Sequence, residues 1–132
     1  MKETEDKIID ANIILRYLLK DDEGQFKIAD SFFIGVKAGK KKAVILESVL
    51  MEVFYVLSKV YDIPKSEIID VLKNMLSFKG VKDGSTDFFI QALDCHGNHS
   101  CLSLVDCLIC IKSKKLKIGI LSFDKKLNNN CK

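Results

Sequence analysis

The sequence predicts an α/β fold, with a short and mainly parallel central sheet that is covered by helices on both faces. Short apolar segments with the composition of buried strands alternate along the chain with longer segments of helical periodicity. The chain has 132 residues, of which 48% are hydrophobic and 30% are charged, which is enough for a full core and a solvated surface. Strands that alternate with helices in this way usually pair in parallel. We therefore expect residues 1–132 to fold as a single domain.

The N-terminal elements are predicted from apolar segments and from the polar turns between them. Residues 7–10 are a predicted strand, and a helix over residues 13–20 follows because its apolar residues recur at helical spacing. An acidic turn precedes a second helix over residues 25–36, and a basic turn precedes the short strand at residues 43–46. A strongly apolar helix is then predicted from residue 48 to about residue 61.

The C-terminal elements begin at Pro64, a residue type that suits the start of a helix. Ile68, Ile69, Leu72 and Met75 form the inward stripe of this helix. Residues 95–101 are predicted to be the least regular part of the chain. The remaining predicted elements are a minimal strand at residues 81–82, helices over residues 83–94 and 103–115, a buried strand at residues 117–123, and one helical turn at residues 125–127.

Composition and charge exclude several classes of protein. The net charge of +3 neither requires a nucleic-acid partner nor opposes one. Five cysteines without the spacing of a disulfide scaffold or a zinc site predict free thiols, and the first residues lack the basic start of a secretory signal. The apolar stretch at residues 8–19 is too short, and too often interrupted by polar residues, to span a membrane. We therefore expect a cytoplasmic protein with no membrane segment.

Four acids occupy positions where the predicted elements leave little room for unpaired charge. Asp10 and Asp124 each end a predicted strand, and ligands of parallel sheets bind beyond the carboxyl ends of the strands. Glu52 and Asp106 interrupt apolar helical patterns, and an unpaired buried charge is costly. A cation is therefore expected near these side chains. We refer to Asp10, Glu52, Asp106 and Asp124 as the acidic set.

Each member of the acidic set also has a purely structural explanation, which the sequence leaves open. Asp10 or Asp124 could cap the helix that follows it. Asp106 could form a capping box with Ser103, and Glu52 could face solvent. Four converging acids, however, would repel one another unless a cation neutralised them. Oxygen ligands without a histidine or cysteine cluster favour Mg²⁺ or Mn²⁺ over zinc, and such an ion would assist the attack of water on a phosphodiester.

In their order along the chain, four motifs resemble those of a PIN domain. They are residues 9–12 (IDAN), 48–53 (SVLMEV), 104–109 (LVDCLI) and 121–127 (LSFDKKL). The resemblance covers nearly the whole chain and implies a three-layer α/β/α architecture. The family commonly adds a last edge strand after the fourth motif, and only a few polar residues follow that motif here. We therefore expect that strand to be missing or rudimentary.

Among PIN domains, a chain of this length is similar to the VapC-type toxins of toxin–antitoxin pairs. The resemblance implies a Mg²⁺- or Mn²⁺-dependent endoribonuclease that leaves 5′-phosphate and 3′-hydroxyl ends. It also implies a cognate antitoxin and a homodimer. The acidic set would hold one or two metal ions and carry the catalysis, and Asn12 and Ser122 would orient ligands or water.

Three basic residues, Arg16, Lys125 and Lys126, are candidates for contacts with RNA phosphates. Arg16 could instead pair with Asp21 or Asp22, and the two lysines could belong to a solvated surface. Two other functions remain open, a non-catalytic PIN-like scaffold that binds RNA and a housekeeping RNA-processing nuclease. A scaffold would bind RNA without cleaving it in the presence of any divalent ion.

Overall fold

The computed structural model of the protein describes residues 6–81 and 84–131, except for the side chains of residues 84 and 85. Two compact units, Met1–Thr86 and Asp87–Lys132, make up the chain, and we call them the first and second units. Among the described residues, the regular structure is helical except for one two-stranded sheet. In chain order, the elements are β1 (Lys7–Ile8), α1 (Ala11–Leu19), α2 (Glu23–Lys37), β2 (Ala43–Val44), α3 (Glu47–Lys59), α4 (Lys65–Leu76), α5 (Gly84–Asn98), α6 (Leu104–Leu116) and α7 (Lys125–Asn130).

In the first unit, β1 and β2 pair in parallel, with Lys7 opposite Ala43. Helix α1 packs against α2 and α3, and α3 packs against α4. The buried side chains are mostly the apolar residues whose helical spacing predicted these helices. They include Ile14, Phe33, Val36, Leu50, Leu57, Ile68 and Leu72. From β1 to α4, the predicted order of strands and helices is confirmed.

An aromatic cluster joins α1, α2 and the turn after α4. The ring of Tyr17 stacks on the ring of Phe33, with 4.3 Å between the centroids. Phe78 presents its ring edgewise to both, at 6.5 Å from Tyr17 and 6.2 Å from Phe33. Aromatic pairs at these separations stabilise a fold beyond the area that they bury. The cluster therefore fixes the turn after α4 against the C-terminal half of α2.

In the second unit, α6 begins with a capping box of Ser103 and Asp106 and ends at Lys117, which has a left-handed backbone with φ of 57°. A disulfide joins Cys110 in α6 to Cys131 after α7, with 5.6 Å between the Cα atoms. The prediction of free thiols is therefore wrong for these two cysteines. The cysteines that remain thiols are Cys95, Cys101 and Cys107.

The predicted buried strand at residues 117–123 is wrong. None of these residues forms a strand, and the exposed fractions of Leu121 and Phe123 are 99% and 102%. An apolar run becomes a strand only where a neighbouring strand pairs with its backbone. Within the described part of the chain, only β1 and β2 form such a pair. The segment is apolar, as its composition indicates, but it is exposed and irregular rather than a buried strand.

Two smaller predictions also differ from the structure. Helix α5 continues to Asn98, so most of the segment predicted to be irregular is helical. The imidazole of His99 donates a hydrogen bond to the carbonyl oxygen of Cys95 over 2.9 Å, which satisfies one of the unpaired carbonyl groups at the end of this helix. Val81 lies in a turn rather than in the predicted minimal strand, whose second residue is outside the described residues.

Candidate functional site

Asp10 caps helix α1. The buried residue Ile9 ends the strand region, and the backbone N–H of Ile13 donates a hydrogen bond to Oδ1 of Asp10 over 3.1 Å. Oδ2 accepts no hydrogen bond from the described residues. The exposed Asp10 also lines a groove of about 380 Å³, whose other walls include Ile28 and Phe32 of α2. Asp10 thus uses one carboxylate oxygen for the helix and keeps the other available.

Glu52 is exposed on the outer face of α3, whereas Leu50, Val53 and Leu57 of the same helix are buried. The expectation of a buried charge at this position is therefore wrong. Tyr55 of the same helix is 62% exposed, so the apolar face of α3 is narrower than its composition indicates. Glu52 is placed on α3, which packs against α1, the helix that Asp10 caps.

Asp106 is half-buried and belongs to the capping box of α6. The backbone N–H of Ser103 donates to Oδ2 of Asp106 over 3.2 Å, and the backbone N–H of Asp106 donates to the hydroxyl of Ser103 over 3.1 Å. The half-burial is therefore compensated by hydrogen bonds, so it does not by itself require a cation. Oδ1 of Asp106 accepts no hydrogen bond from the described residues.

Asp124 caps α7. Its Oδ1 accepts hydrogen bonds from the backbone N–H groups of Lys126 over 2.9 Å and of Leu127 over 3.3 Å. The backbone N–H of Asp124 donates to the hydroxyl of Ser122 over 3.0 Å, so these two predicted site residues are in direct contact. Ser122 also accepts a hydrogen bond at its carbonyl oxygen from the side chain of Asn128. The turn that carries Asp124 is therefore held in place from both sides.

Three members of the acidic set share one arrangement. Asp10, Asp106 and Asp124 each bind the start of a helix through one oxygen and leave the second oxygen without a hydrogen bond from the described residues. A carboxylate held by one oxygen is a preoriented ligand for a hard cation, because its second oxygen needs no reorganisation to bind.

The acidic set is divided equally between the two units. Asp10 and Glu52 belong to the first unit, and Asp106 and Asp124 belong to the second. Over residues 6–81 and 84–131, no group of three or more histidine, cysteine, aspartate or glutamate side chains is arranged to hold a metal ion. Neither unit therefore holds the complete set, and the role of these acids as ligands stays a prediction.

The basic candidates have different environments. Arg16 is 21% exposed and donates to Oδ1 of Asp21 over 2.7 Å, the pairing that the sequence left open as an alternative. A hydrogen bond with Tyr61, together with the charge of Asp21, raises the pKa of Arg16 against the opposing effect of burial. Lys125 and Lys126 are exposed in the first turn of α7. Cations at that end of a helix are not favoured by its dipole, so helix stability does not explain these lysines.

Asn12 is exposed in the first turn of α1, two residues after Asp10. Besides the acidic set, the first unit has a group of polar residues around Lys37 and Lys79 that was not predicted from the sequence. The hydrogen bond and the charge of Tyr17 raise the pKa of Lys37 against the effect of burial, with a further contribution from Asp30. In the sequence, only the basic turn after α2 indicated this group. Lys79 is distant along the chain and comes close to that turn only in the folded structure.

The parallel pair β1–β2 and its flanking helices define a protein of the α/β class. A protein-family model described as PIN domain matches residues 7–132, so this chain belongs to the PIN domain family. PIN domains are generally nucleases that act on RNA or other nucleic acids, and they usually depend on divalent metal ions. Comparisons with curated proteins and with solved structures gave no match.

No helix within the described ranges combines the length and the hydropathy that a membrane crossing requires.

Proposed function

We propose that this protein is an endoribonuclease that hydrolyses RNA phosphodiester bonds with the help of Mg²⁺ or Mn²⁺. The observation that carries the proposal is the match of residues 7–132 to a nuclease family. The geometry of Asp10, Asp106 and Asp124 is compatible with it, because each keeps one carboxylate oxygen available while a helix start holds the other. The donor set fits a hard divalent ion, because it consists of carboxylate oxygens.

In this proposal, Asp10, Glu52, Asp106 and Asp124 hold one or two ions. A bound Mg²⁺ or Mn²⁺ would supply a Lewis acid and neutralise charge on the scissile phosphate. One carboxylate of the acidic set accepts a proton of the attacking water, the water oxygen bonds to phosphorus, and the bond from phosphorus to O3′ breaks as O3′ takes a proton from a second water molecule. The products carry 5′-phosphate and 3′-hydroxyl ends.

The remaining predicted site residues position the substrate and the acids. Ser122 holds the backbone of Asp124 through its hydroxyl, and Asn12 lies in the helical turn that Asp10 caps. Lys125 and Lys126 follow Asp124 directly and would bind RNA phosphates beside it. Arg16 forms an ion pair with Asp21, so it would bind an RNA phosphate only after that ion pair breaks.

At a finer level, we propose the toxin of a type II toxin–antitoxin pair, of the VapC type. Residues 1–132 would then act as one three-layer domain in the cytoplasm, with a cognate antitoxin and a second copy of the chain as partners. Exposed apolar side chains such as Ile28 and Ile34 of α2 are available for such contacts. These assignments rest on the similarity in length and motifs.

The test is cleavage of a mixed structured RNA by the purified protein with Mg²⁺ or Mn²⁺ and with a chelator. Three variants accompany it: Asp10→Asn, Asp106→Asn and, as a matched control, Asp22→Asn. Asp22 caps α2 through a hydrogen bond from the backbone N–H of Gln25 over 2.9 Å and does not belong to the acidic set. Asparagine caps helices as well as aspartate does, so the variants at Asp10 and Asp22 remove a charge and keep the cap. In Asp106→Asn the cap residue Ser103 is unchanged, and the amide oxygen can still accept the hydrogen bond from its backbone N–H.

We expect cleavage that requires the metal, is lost in Asp10→Asn and Asp106→Asn, and persists in Asp22→Asn. If all three variants cut as the natural sequence does, the activity belongs to a contaminant. If the natural sequence binds RNA but cuts none with any divalent ion, the non-catalytic scaffold replaces the nuclease. Cleavage that is limited to a few sites of ribosomal or transfer RNA precursors would favour the housekeeping function over the toxin.

A further inference from the structure

Two turns of the first unit are locked together at the C-terminal end of α2. The backbone N–H of Gly80 donates to the carbonyl oxygen of Val36 over 2.8 Å, and its carbonyl oxygen accepts from the N–H of Ala43 over 3.0 Å. A Cβ atom on Gly80 would lie 2.1 Å from the carbonyl oxygen of Lys41. The turn after α4 and the turn after α2 therefore form one surface with a fixed arrangement.

This surface presents a group of lysines, and we call Lys37, Lys40, Lys42 and Lys79 the basic cap. All of them are exposed. The position of a Cβ on Gly39 would be 3.3 Å from Cβ of Lys79, and Nζ of Lys37 lies 5.1 Å from the ring centroid of Phe78. Within the described part of the chain, no member of the basic cap forms an ion pair with a carboxylate.

An aromatic pocket of about 270 Å³ adjoins the basic cap. Its walls include the half-buried residues Tyr17 and Phe78, and the polar residues that line it are Lys20, Asp30, Lys37 and Asn74. All of these residues belong to the first unit. The pocket thus combines flat apolar faces with cations and with an amide that can both donate and accept hydrogen bonds.

Helix stability accounts for only part of this arrangement. Lys37 lies in the last turn of α2, where a cation is favoured by the helix dipole. Lys79 lies in the turn after α4, so it is not one of the residues in the last turn of α2. Asp30 acts on Lys37 without forming an ion pair with it. The exposed cations still repel one another, and an anion from outside the chain reduces that repulsion.

We propose that the basic cap and the aromatic pocket form a binding site for single-stranded RNA, in which the lysines hold consecutive phosphates and the pocket takes a base beside the rings of Tyr17 and Phe78. Cations that follow a backbone, beside rings that stack on bases, are the two features with which proteins bind single strands. An acidic peptide would use the lysines without needing the rings, and the pocket therefore favours RNA.

This site is separate from Asp10. Lys42 precedes β2 and Asp10 follows β1, and the two strands are parallel, so these residues lie at opposite ends of the pair. The strand region from Lys7 to Asp10 spans about 10 Å. The inference rests on the proposed function in taking RNA as the substrate. It assigns to the basic cap a second contact with the RNA, at a distance from the cleavage site.

The experiment measures the affinity of the full chain for a labelled single-stranded RNA by fluorescence anisotropy, in EDTA so that no cleavage occurs. One variant carries Lys37→Ala, Lys40→Ala and Lys79→Ala. Its matched control carries Lys27→Ala, Lys59→Ala and Lys65→Ala, which also removes three positive charges but on other surfaces of the first unit. Lys59 and Lys65 flank the loop between α3 and α4, at the end of α4 remote from Phe78.

The basic-cap variant is expected to bind about tenfold to a hundredfold more weakly at 0.1 M salt, and its slope of log K against log salt is expected to be shallower by about 2. The control variant should lose less than about threefold through its reduced net charge. A Phe78→Leu variant, which keeps an apolar side chain in the aromatic cluster, should bind about tenfold more weakly with an unchanged salt slope. Thermal unfolding of each variant separates loss of the site from loss of the fold.

Equal losses in the basic-cap and control variants would overturn the site, because net charge alone would then explain binding. Unchanged affinity in the basic-cap variant would overturn it as well. If polyglutamate competes with RNA as strongly as unlabelled RNA does and Phe78→Leu has no effect, the surface receives an acidic protein segment instead. Binding in EDTA does not need the acidic set, so an Asp10→Asn variant that binds but does not cleave distinguishes failure of this site from failure of the proposed nuclease.

Discussion

At the scale of single residues, capping and metal binding are compatible in one carboxylate. Asp10 uses Oδ1 for the N–H of Ile13, and its second oxygen remains available. The sequence presented these two roles as alternatives, and the geometry allows both at once. Substitutions of Asp10 must therefore be chosen so that loss of the negative charge and loss of the helix cap can be measured separately.

Two substitutions of Asp10 make that separation. Asp10→Asn keeps the cap, so the free energy of unfolding should change by less than about 0.5 kcal/mol, whereas Asp10→Ala should lose about 1 kcal/mol. RNA cleavage should be lost in both, because both remove the charge. Urea unfolding and a cleavage assay measure the two quantities. The same pair of changes at Asp22 should reproduce the stability effects and leave cleavage intact; a cleavage loss at Asp22 would show that the cap, rather than the charge, matters.

Gly80 is a residue whose importance comes entirely from the folded structure. A methyl group at this position would meet two backbone carbonyl oxygens, those of Lys41 at 2.1 Å and Val36 at 2.9 Å. Backbone cannot move aside as a flexible side chain can, so Gly80→Ala should lower the free energy of unfolding by about 3 kcal/mol. Gly24→Ala is the control, because its nearest neighbour would be 3.7 Å away. Equal urea midpoints for the two variants would contradict the close packing of the two turns.

At the scale of elements, the helices were predicted well because the residues that a helix buries recur at helical spacing in the sequence. Ile68, Leu72 and Met75 formed the predicted stripe of α4, and all are fully buried. Hydrophobicity alone predicts short strands less well. The segment at residues 117–123 has the composition of a strand, but its structure depends on a partner that composition does not specify.

The disulfide is a second feature of the elements that the sequence did not predict, since cysteine spacing alone does not determine pairing. It joins Cys110 to Cys131 across 21 positions and closes a loop that contains Asp124. Closing a loop of this length reduces the entropy of the unfolded chain, which stabilises the fold by about 3 kcal/mol. Cys131→Ser should therefore lower the free energy of unfolding by about that amount without reductant.

With a reductant such as dithiothreitol, Cys131→Ser and the natural sequence should unfold at nearly the same urea concentration. Cys101→Ser is the matched control, because Cys101 is exposed and remains a thiol. It should have no effect in either condition. If reductant leaves the stability of the natural sequence unchanged, the two cysteines are not paired in solution, as a reducing cytoplasm would favour.

At the scale of the whole molecule, the acidic set was recognisable from the order of its motifs rather than from burial. The burial argument was wrong for Glu52, which is exposed, and unnecessary for Asp106, whose half-burial is compensated by Ser103. Local patterns determine which residue caps which helix. They do not determine the distance between acids in different units, because that distance depends on tertiary contacts between residues far apart in the sequence.

The proposed metal site leads to a prediction that does not rely on catalysis. If the acidic set binds an ion as proposed, the ion binds only the folded chain and must raise the free energy of unfolding. At a hundred times its dissociation constant, Mn²⁺ should contribute about 2.7 kcal/mol, which for 132 residues corresponds to a rise of roughly 10 °C in the unfolding midpoint.

The rise should disappear in Asp10→Asn, which changes the first unit, and equally in Asp124→Asn, which changes the second. Both variants keep their helix caps, so their midpoints without Mn²⁺ should match that of the natural sequence. Asp22→Asn should retain the full rise. A rise that survives in one variant and disappears in the other would locate the ion within a single unit. In that case the two acids of the other unit have no role as ligands, and the complete acidic set is not a metal site.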